Sequence, residues 1–166
     1  IGQAIAVALA REGVDVAVCG RTREPLEVTA ELVEAHGVKS AVIVMDLLDV
    51  DDCRRAVDEC ASSFGGLDIL VSNASTNVDA HPADLEVVTD DQLMERVNGK
   101  GMTSVRVTRA ALPYLRASGH GRVILLGGTS ARLVAGPGSG FASGLGNAFV
   151  ANFAKRLSAD VASDGI

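Results

Sequence analysis

Residues Gly121–Phe153 read GRVILLGGTSARLVAGPGSGFASGLGNAFVANF, and the changes of pattern along them decide the fold. Arg122–Leu126 is a short apolar run with β-branched Val123 and Ile124, as a buried strand needs. Gly127 to Gly140 is a Gly/Ser/Pro loop, and from Ala142 onward apolar residues recur at helical spacing. In an open parallel sheet this order puts the loop at the carboxyl ends of the strands, the face where ligands bind.

The same alternation runs outward from this stretch. Ile1–Arg11 carries apolar residues along one face and ends before Gly13, which suits a helix C-terminus. Val14–Cys19 is predicted to be a strand, Gly20-Arg21-Thr22-Arg23 a turn and Glu24–His36 a helix. Ser40–Met45 is a further strand ending in Asp46-Leu47, followed by an amphipathic helix over Asp49–Ser63 and a strand over Leu67–Ser72. Asn73-Ala74-Ser75 is a turn, and the polar, Pro-containing Thr76–Thr89 is expected to cross the top of the sheet flexibly. Asp90–Leu115 reads as two helical segments joined at Asn98-Gly99-Lys100-Gly101. No repeat, low-complexity segment or internal linker interrupts the order, which is that of an α/β protein.

A chain of 166 residues, 48% hydrophobic, is long enough to bury the core of one domain. Its formal net charge of -6, with no basic cluster, argues against nucleic acid or an anionic membrane surface as partner. Cys19, Cys53 and Cys60 are too few and too scattered for a disulfide framework and are expected to be buried or half-buried free thiols. His36, His81 and His120 lie in separate polar stretches without ligand-like spacing, so no metal site is expected. No apolar run reaches the roughly 18 residues of a membrane span, and a soluble, cytoplasmic protein is expected. Ile1-Gly2 begins inside a helix, and Ser163-Asp164-Gly165-Ile166 ends as if another strand were to follow. The chain is therefore expected to be an internal piece of a longer one.

The strand, Gly/Ser loop and helix of Gly121–Phe153, with Asn147-Ala148-Phe149-Val150 through Lys155-Arg156-Leu157-Ser158, resemble the catalytic segment of the short-chain dehydrogenase/reductase family. The resemblance implies a Rossmann-like doubly wound parallel sheet with helices on both faces. Residues 1–166 would form a single truncated domain lacking the first strand and the C-terminal strands. A gap is then expected between the strand at Val14–Cys19 and the strand at Leu67–Ser72, because the first strand of such a sheet lies between them.

The family's active enzymes carry a Ser after the strand and Tyr-x-x-x-Lys entering the helix. The chain's only tyrosine, Tyr114, precedes the strand and is followed four positions later by Ser118. Aligned from the helix, Ser143 stands where the Tyr belongs and Asn147 where the Lys belongs. Aligned from the strand, Gly128 takes the Ser position, with Ser130 competing for it. Asn98 matches the family asparagine that holds a water in the proton relay. The candidate reaction centre is thus Asn98, Ser130, Ser143 and Asn147.

For the cofactor, Ile1-Gly2 matches the end of the family's Gly-rich turn, whose backbone approaches a pyrophosphate at a helix N-terminus. Asp46-Leu47 resembles the pair that contacts the adenine, although an Asp at a strand end also commonly caps the next turn. Asn73-Ala74 resembles the turn against which the cofactor ribose lies. At the end of the second family strand a carboxylate selects NAD(H) and an Arg accommodates a 2′-phosphate. Gly20 and Arg21 occupy that point, so NADP(H) is favoured over NAD(H).

The resemblance further implies a small-molecule carbonyl or hydroxyl substrate, a homo-oligomeric full-length protein and a substrate loop beyond Ile166. A serine is a far weaker acid than a phenol of pKa about 10, and Asn147 has no charge with which to shift it. Losing a positioned general acid costs roughly 10²–10⁴ in rate. The expectation is an oxidoreductase with a degenerate catalytic site, the alternatives being an NADP(H)-binding pseudoenzyme that senses or scaffolds, or a segment with no activity of its own.

Overall fold

Four short parallel strands and six α-helices alternate along the described residues, 1–76, 85–133 and 141–166, of the computed structural model. His81, most of the expected crossing over 76–89 and residues 134–140 of the Gly-rich loop lie outside them.

Helix α1 (Gly2–Arg11) leads to β1 (Val16–Gly20), α2 (Arg23–Glu34), β2 (Ser40–Val44), α3 (Val50–Phe64) and β3 (Ile69–Ser72). After 77–84 come α4 (Asp90–Arg96), a π-helical turn (Val97–Met102), α5 (Thr103–Ser118), β4 (Arg122–Leu125) and α6 (Phe141–Val161). Thr129–Ala131 forms a 3-10 turn just beyond β4. Each predicted strand and helix is present, with no end moved by more than three residues.

The strands pair as two parallel couples. Val16↔Ser40 through Gly20↔Val44 join β1 to β2, and Ile69↔Arg122 through Ser72↔Leu125 join β3 to β4. Among the described residues no ladder connects β1 to β3, so the expected gap in the sheet is present. Helix packing links the two couples instead. Val57 of α3 packs with Val107, Ala111 and Leu115 of α5, while Leu47 and Leu67 touch both this cluster and the one around Ile43, Met45, Cys53 and Cys60. A third cluster, Ala6, Ala10, Val16, Val18, Ala30 and Val33, clamps α1 and α2 onto β1.

Local chemistry sets the helix ends. Asp49 accepts from the backbone N–H groups of Asp51 and Asp52, satisfying donors that the first turn of α3 leaves orphaned. Asp51 and Asp52 also place negative charge at the positive end of the helix dipole. Thr89 and Gln92 form a reciprocal capping box on α4. Gly65, at φ 79°, ends α3 in the left-handed conformation that a side chain would strain, and sends the chain into β3.

Of the three free thiols, Cys53 and Cys60 are buried on α3, but Cys19 on β1 is exposed. This corrects the expectation for Cys19: its strand has no ladder partner on one side among the described residues. Its thiol is nevertheless pushed up to about 12, by desolvation first and then by Cys60 and Glu59. One side of the residue is open while the protein around the rest of it is dense, and both outcomes follow.

Candidate active site

The carboxyl end of β4 delivers Gly127 and Gly128 into the 3-10 turn, which faces the start of α6. Asn147, one helical turn past Ser143, donates from Nδ2 to Ser130 Oγ at 2.9 Å and to the Ser143 carbonyl at 3.0 Å. Ser130, Ser143 and Asn147 are therefore assembled in one place. Gly128 also lies against Asn147, since a β-carbon there would stand 2.8 Å from Nδ2. Of the two candidates for the serine position, Ser130 holds the hydrogen bond and Gly128 makes room for it. A cleft of about 200 Å³ opens beside them, lined by Gly127, Gly128, Thr129, Arg132 and Asn147 among others.

Asn98 does not join this group. Its side chain is exposed, and its Oδ1 accepts from Arg106 Nη2 at 2.6 Å, while Arg106 Nη1 reaches the Leu47 carbonyl at 3.5 Å. Tyr114 is further removed: its hydroxyl donates to Asp58 on α3 at 2.8 Å, and that bond pushes the phenol up, opposite to what a proton donor needs.

The π turn faces the helix that carries Ser143 and Asn147. Widening a helix by one residue breaks the regular hydrogen-bond ladder, and such turns recur at functional sites. Here Thr103 Oγ1 donates to the carbonyls of Gly99 and Lys100, at 3.3 and 3.0 Å, and Ser104 Oγ donates to Lys100 at 3.4 Å. Two glycines let neighbours come close. A β-carbon on Gly99 would collide with Thr76 Oγ1, and one on Gly101 would stand 2.6 Å from the Phe149 ring of α6.

This approach carries two cations that sequence reasoning passed over. Arg96 Nη2 donates to Ser143 Oγ at 3.3 Å, and Lys100 packs its Cβ against Gly146, where a β-carbon would stand 3.1 Å away. Burial first, and then the charge of Arg96, push the Lys100 ammonium below its ordinary value. The signal was present in the sequence, because Arg96 and Lys100 are four residues apart and so share a helix face beside the Asn-Gly junction.

The candidate cofactor residues sit at the strand ends. The first turn of α1 holds no acidic residue that would repel an anion. Gly2 lies against Asn73: a β-carbon on it would be 2.9 Å from Asn73 Nδ2, so the turn after β3 and the start of α1 form one cradle. Ala74 is exposed beside it. Arg21, just past β1, is exposed and makes no hydrogen bond or ion pair among the described residues. Asp46 Oδ1 accepts from Leu48 N at 2.9 Å, so it does cap its own turn, while Leu47 is half-buried.

This geometry is that of a nucleotide-binding α/β protein whose site lies at the carboxyl ends of parallel strands. The short chain dehydrogenase family model matches residues 1–166, and the chain belongs to that family. It is 37% identical over 136 residues to 11-beta-hydroxysteroid dehydrogenase 1A of Arabidopsis thaliana, covering 81% of this chain and 38% of the relative. It is 35% identical over 118 residues to general stress protein 39 of Bacillus subtilis (strain 168), covering 70% of this chain and 40% of the relative. The chain thus spans about two fifths of the length of these curated relatives.

Among solved structures, an NADH-dependent reductase complexed with NAD superposes with a TM-score of 0.87 at 25% identity, covering 98% of this chain and 69% of that one. A short-chain type dehydrogenase/reductase from Mycobacterium marinum gives 0.91 at 23% identity, covering 99% and 66%, a likeness of fold.

Proposed function

We propose that the protein carrying this chain is an NADP(H)-dependent oxidoreductase that interconverts a carbonyl and a hydroxyl on a small molecule, using an altered proton-transfer set. The observation that carries this reading is the hydrogen-bonded group of Ser130, Ser143 and Asn147 at the carboxyl end of β4.

When bound, the nicotinamide cofactor supplies or accepts the hydride. The start of α1, with Gly2 against Asn73, suits its pyrophosphate, and Asp46-Leu47 and Ala74 follow the carboxyl ends of β2 and β3. Arg21 can form a charge-assisted hydrogen bond to a 2′-phosphate, and Gly20 leaves no carboxylate to repel one. Ser130 and Ser143 are the hydroxyls available to a substrate oxygen. Asn147, anchored through Nδ2 to the Ser143 carbonyl, orients the Ser130 hydroxyl. Asn98, turned to Arg106, would serve a water relay only after leaving that partner.

Binding without turnover is the second reading, and the uncharged Asn147 favours it, since no lysine stands there to lower the pKa of an acid. Calorimetric titration of the full-length protein with NADPH and with NADH, followed by a carbonyl panel, tests both. Tight NADPH binding with turnover supports the oxidoreductase; binding alone selects the second reading; no binding removes both. No helix among the described residues is long and apolar enough to cross a membrane. A cytoplasmic homo-oligomer without nucleic-acid or membrane partners remains part of the proposal.

A further inference from the structure

Ser143 occupies the position of the proton donor, yet a bare serine hydroxyl is a poor acid, so its charged neighbours matter. The Arg96 guanidinium donates to Ser143 Oγ at 3.3 Å from across the helix interface. No carboxylate pairs with Arg96 among the described residues, and its Nε is buried there without a partner. Among the described residues the charged groups on the elements packed there are few. Lys100 stands on its own helical face, Arg132 follows the 3-10 turn, the adjacent Glu95 is exposed, and the first turn of α6 holds no acidic residue. Burial first, and the Arg96 charge second, lower the Lys100 ammonium beside it.

Within the proposed oxidoreductase reading, on which this inference rests, we propose that Arg96 is the positioning residue of the reaction centre. By donating to Ser143 Oγ it leaves the hydroxyl's own hydrogen free for the substrate oxygen and strengthens it as a donor. The charge lost from position 147 is thereby supplied from the facing π turn. A bound reduced nicotinamide would supply the hydride to the carbonyl carbon, and the carbonyl π pair would move onto oxygen. The Ser143 O–H bond breaks, its proton goes to that oxygen, and solvent returns a proton to Ser143.

The test reads the electrostatics without cofactor. In the full-length protein, Ser143→Cys places a thiol at the position, and its titration is followed by the pH dependence of alkylation with iodoacetamide. Within this chain Cys19, Cys53 and Cys60 are all pushed up, and the same titration of the full-length protein without Ser143→Cys gives the thiol background to subtract. Beside a guanidinium that no carboxylate among the described residues neutralises, the new thiol should titrate about one unit below the ordinary value of about 8.5. Adding Arg96→Gln should move the midpoint back by about a unit, whereas Arg96→Lys should retain much of the shift. A midpoint at or above the ordinary value, unmoved by Arg96→Gln in a protein of unchanged circular dichroism, overturns the assignment.

Turnover is measured alongside on the Ser143 protein. Arg96→Gln should lower kcat about tenfold or more with a small change in KM, and Arg96→Lys should rescue part of it. A shifted thiol in a protein that binds NADPH but reduces no carbonyl overturns the oxidoreductase reading and the donor role of Ser143, while the electrostatic hold of Arg96 on that position stands.

Discussion

Asn147 donates to Ser130 across 2.9 Å, tying the first turns of α6 to the loop that leaves β4. An ammonium at 147 would activate a neighbouring acid, whereas an amide can only orient one. The bond also explains Gly128, where any side chain would press on the Asn147 amide.

Ser143→Tyr with Asn147→Lys should therefore create or raise carbonyl reductase activity in the full-length protein, measured as NADPH oxidation. Phenol and ammonium would then sit one helical turn apart, and either change alone should fall short of the pair by roughly 10²-fold. Ser130 already supplies the accompanying hydroxyl. Adding Gly128→Ser should lower activity, because its β-carbon enters space held by residue 147.

For the cofactor, Arg21→Ala should weaken NADPH binding about tenfold, the loss of one charge-assisted hydrogen bond, and leave NADH nearly unchanged. Calorimetry with both nucleotides reads the difference. Equal weakening would make Arg21 a surface charge only.

The π turn depends on Gly101. Gly101→Ala gains about 1 kcal/mol of helix propensity but forces a methyl to 2.6 Å from the Phe149 ring, and such overpacking costs roughly 1–3 kcal/mol. A net destabilisation of about 1 kcal/mol is expected in the urea midpoint. An increase in stability would show that α6 is free to move away from the turn.

Cys19 should make stability fall at alkaline pH. Its thiol is pushed from 9.0 to about 12 in the folded protein, so burial favours the neutral form. That contribution is fully present below pH 9 and is lost as pH rises from about 9 towards 12, since the unfolded chain ionises first. Cys19→Ser should flatten the fall in the urea midpoint across this window, with Cys53, Cys60 and Tyr114, also pushed up, contributing to what remains. An identical slope with and without Cys19 would mean that its sulfur is already well solvated.

The element order was legible in the sequence because each element is specified locally. Valine-rich runs such as Val16–Val18 can only be strands in this setting, and Asp49, Thr89, Gly65 and Gly119 mark helix ends through bonds to residues two or three positions away or through a backbone conformation. The same holds for the absence of Tyr-x-x-x-Lys, which is a matter of residue identity. Side-chain partners across elements were not legible, because they depend on helix rotation and interhelical distance. Asn98 stands at the right place in the chain, yet its side chain turns to Arg106, eight residues on. Arg96 meets Ser143 forty-seven positions away only because Gly101 and Gly146 let α6 approach the π turn closely. The sequence by itself determined that an uncharged asparagine stands at position 147; only tertiary packing decided that a guanidinium from another helix reaches Ser143, since a contact between distant residues exists only once the surfaces between them fit.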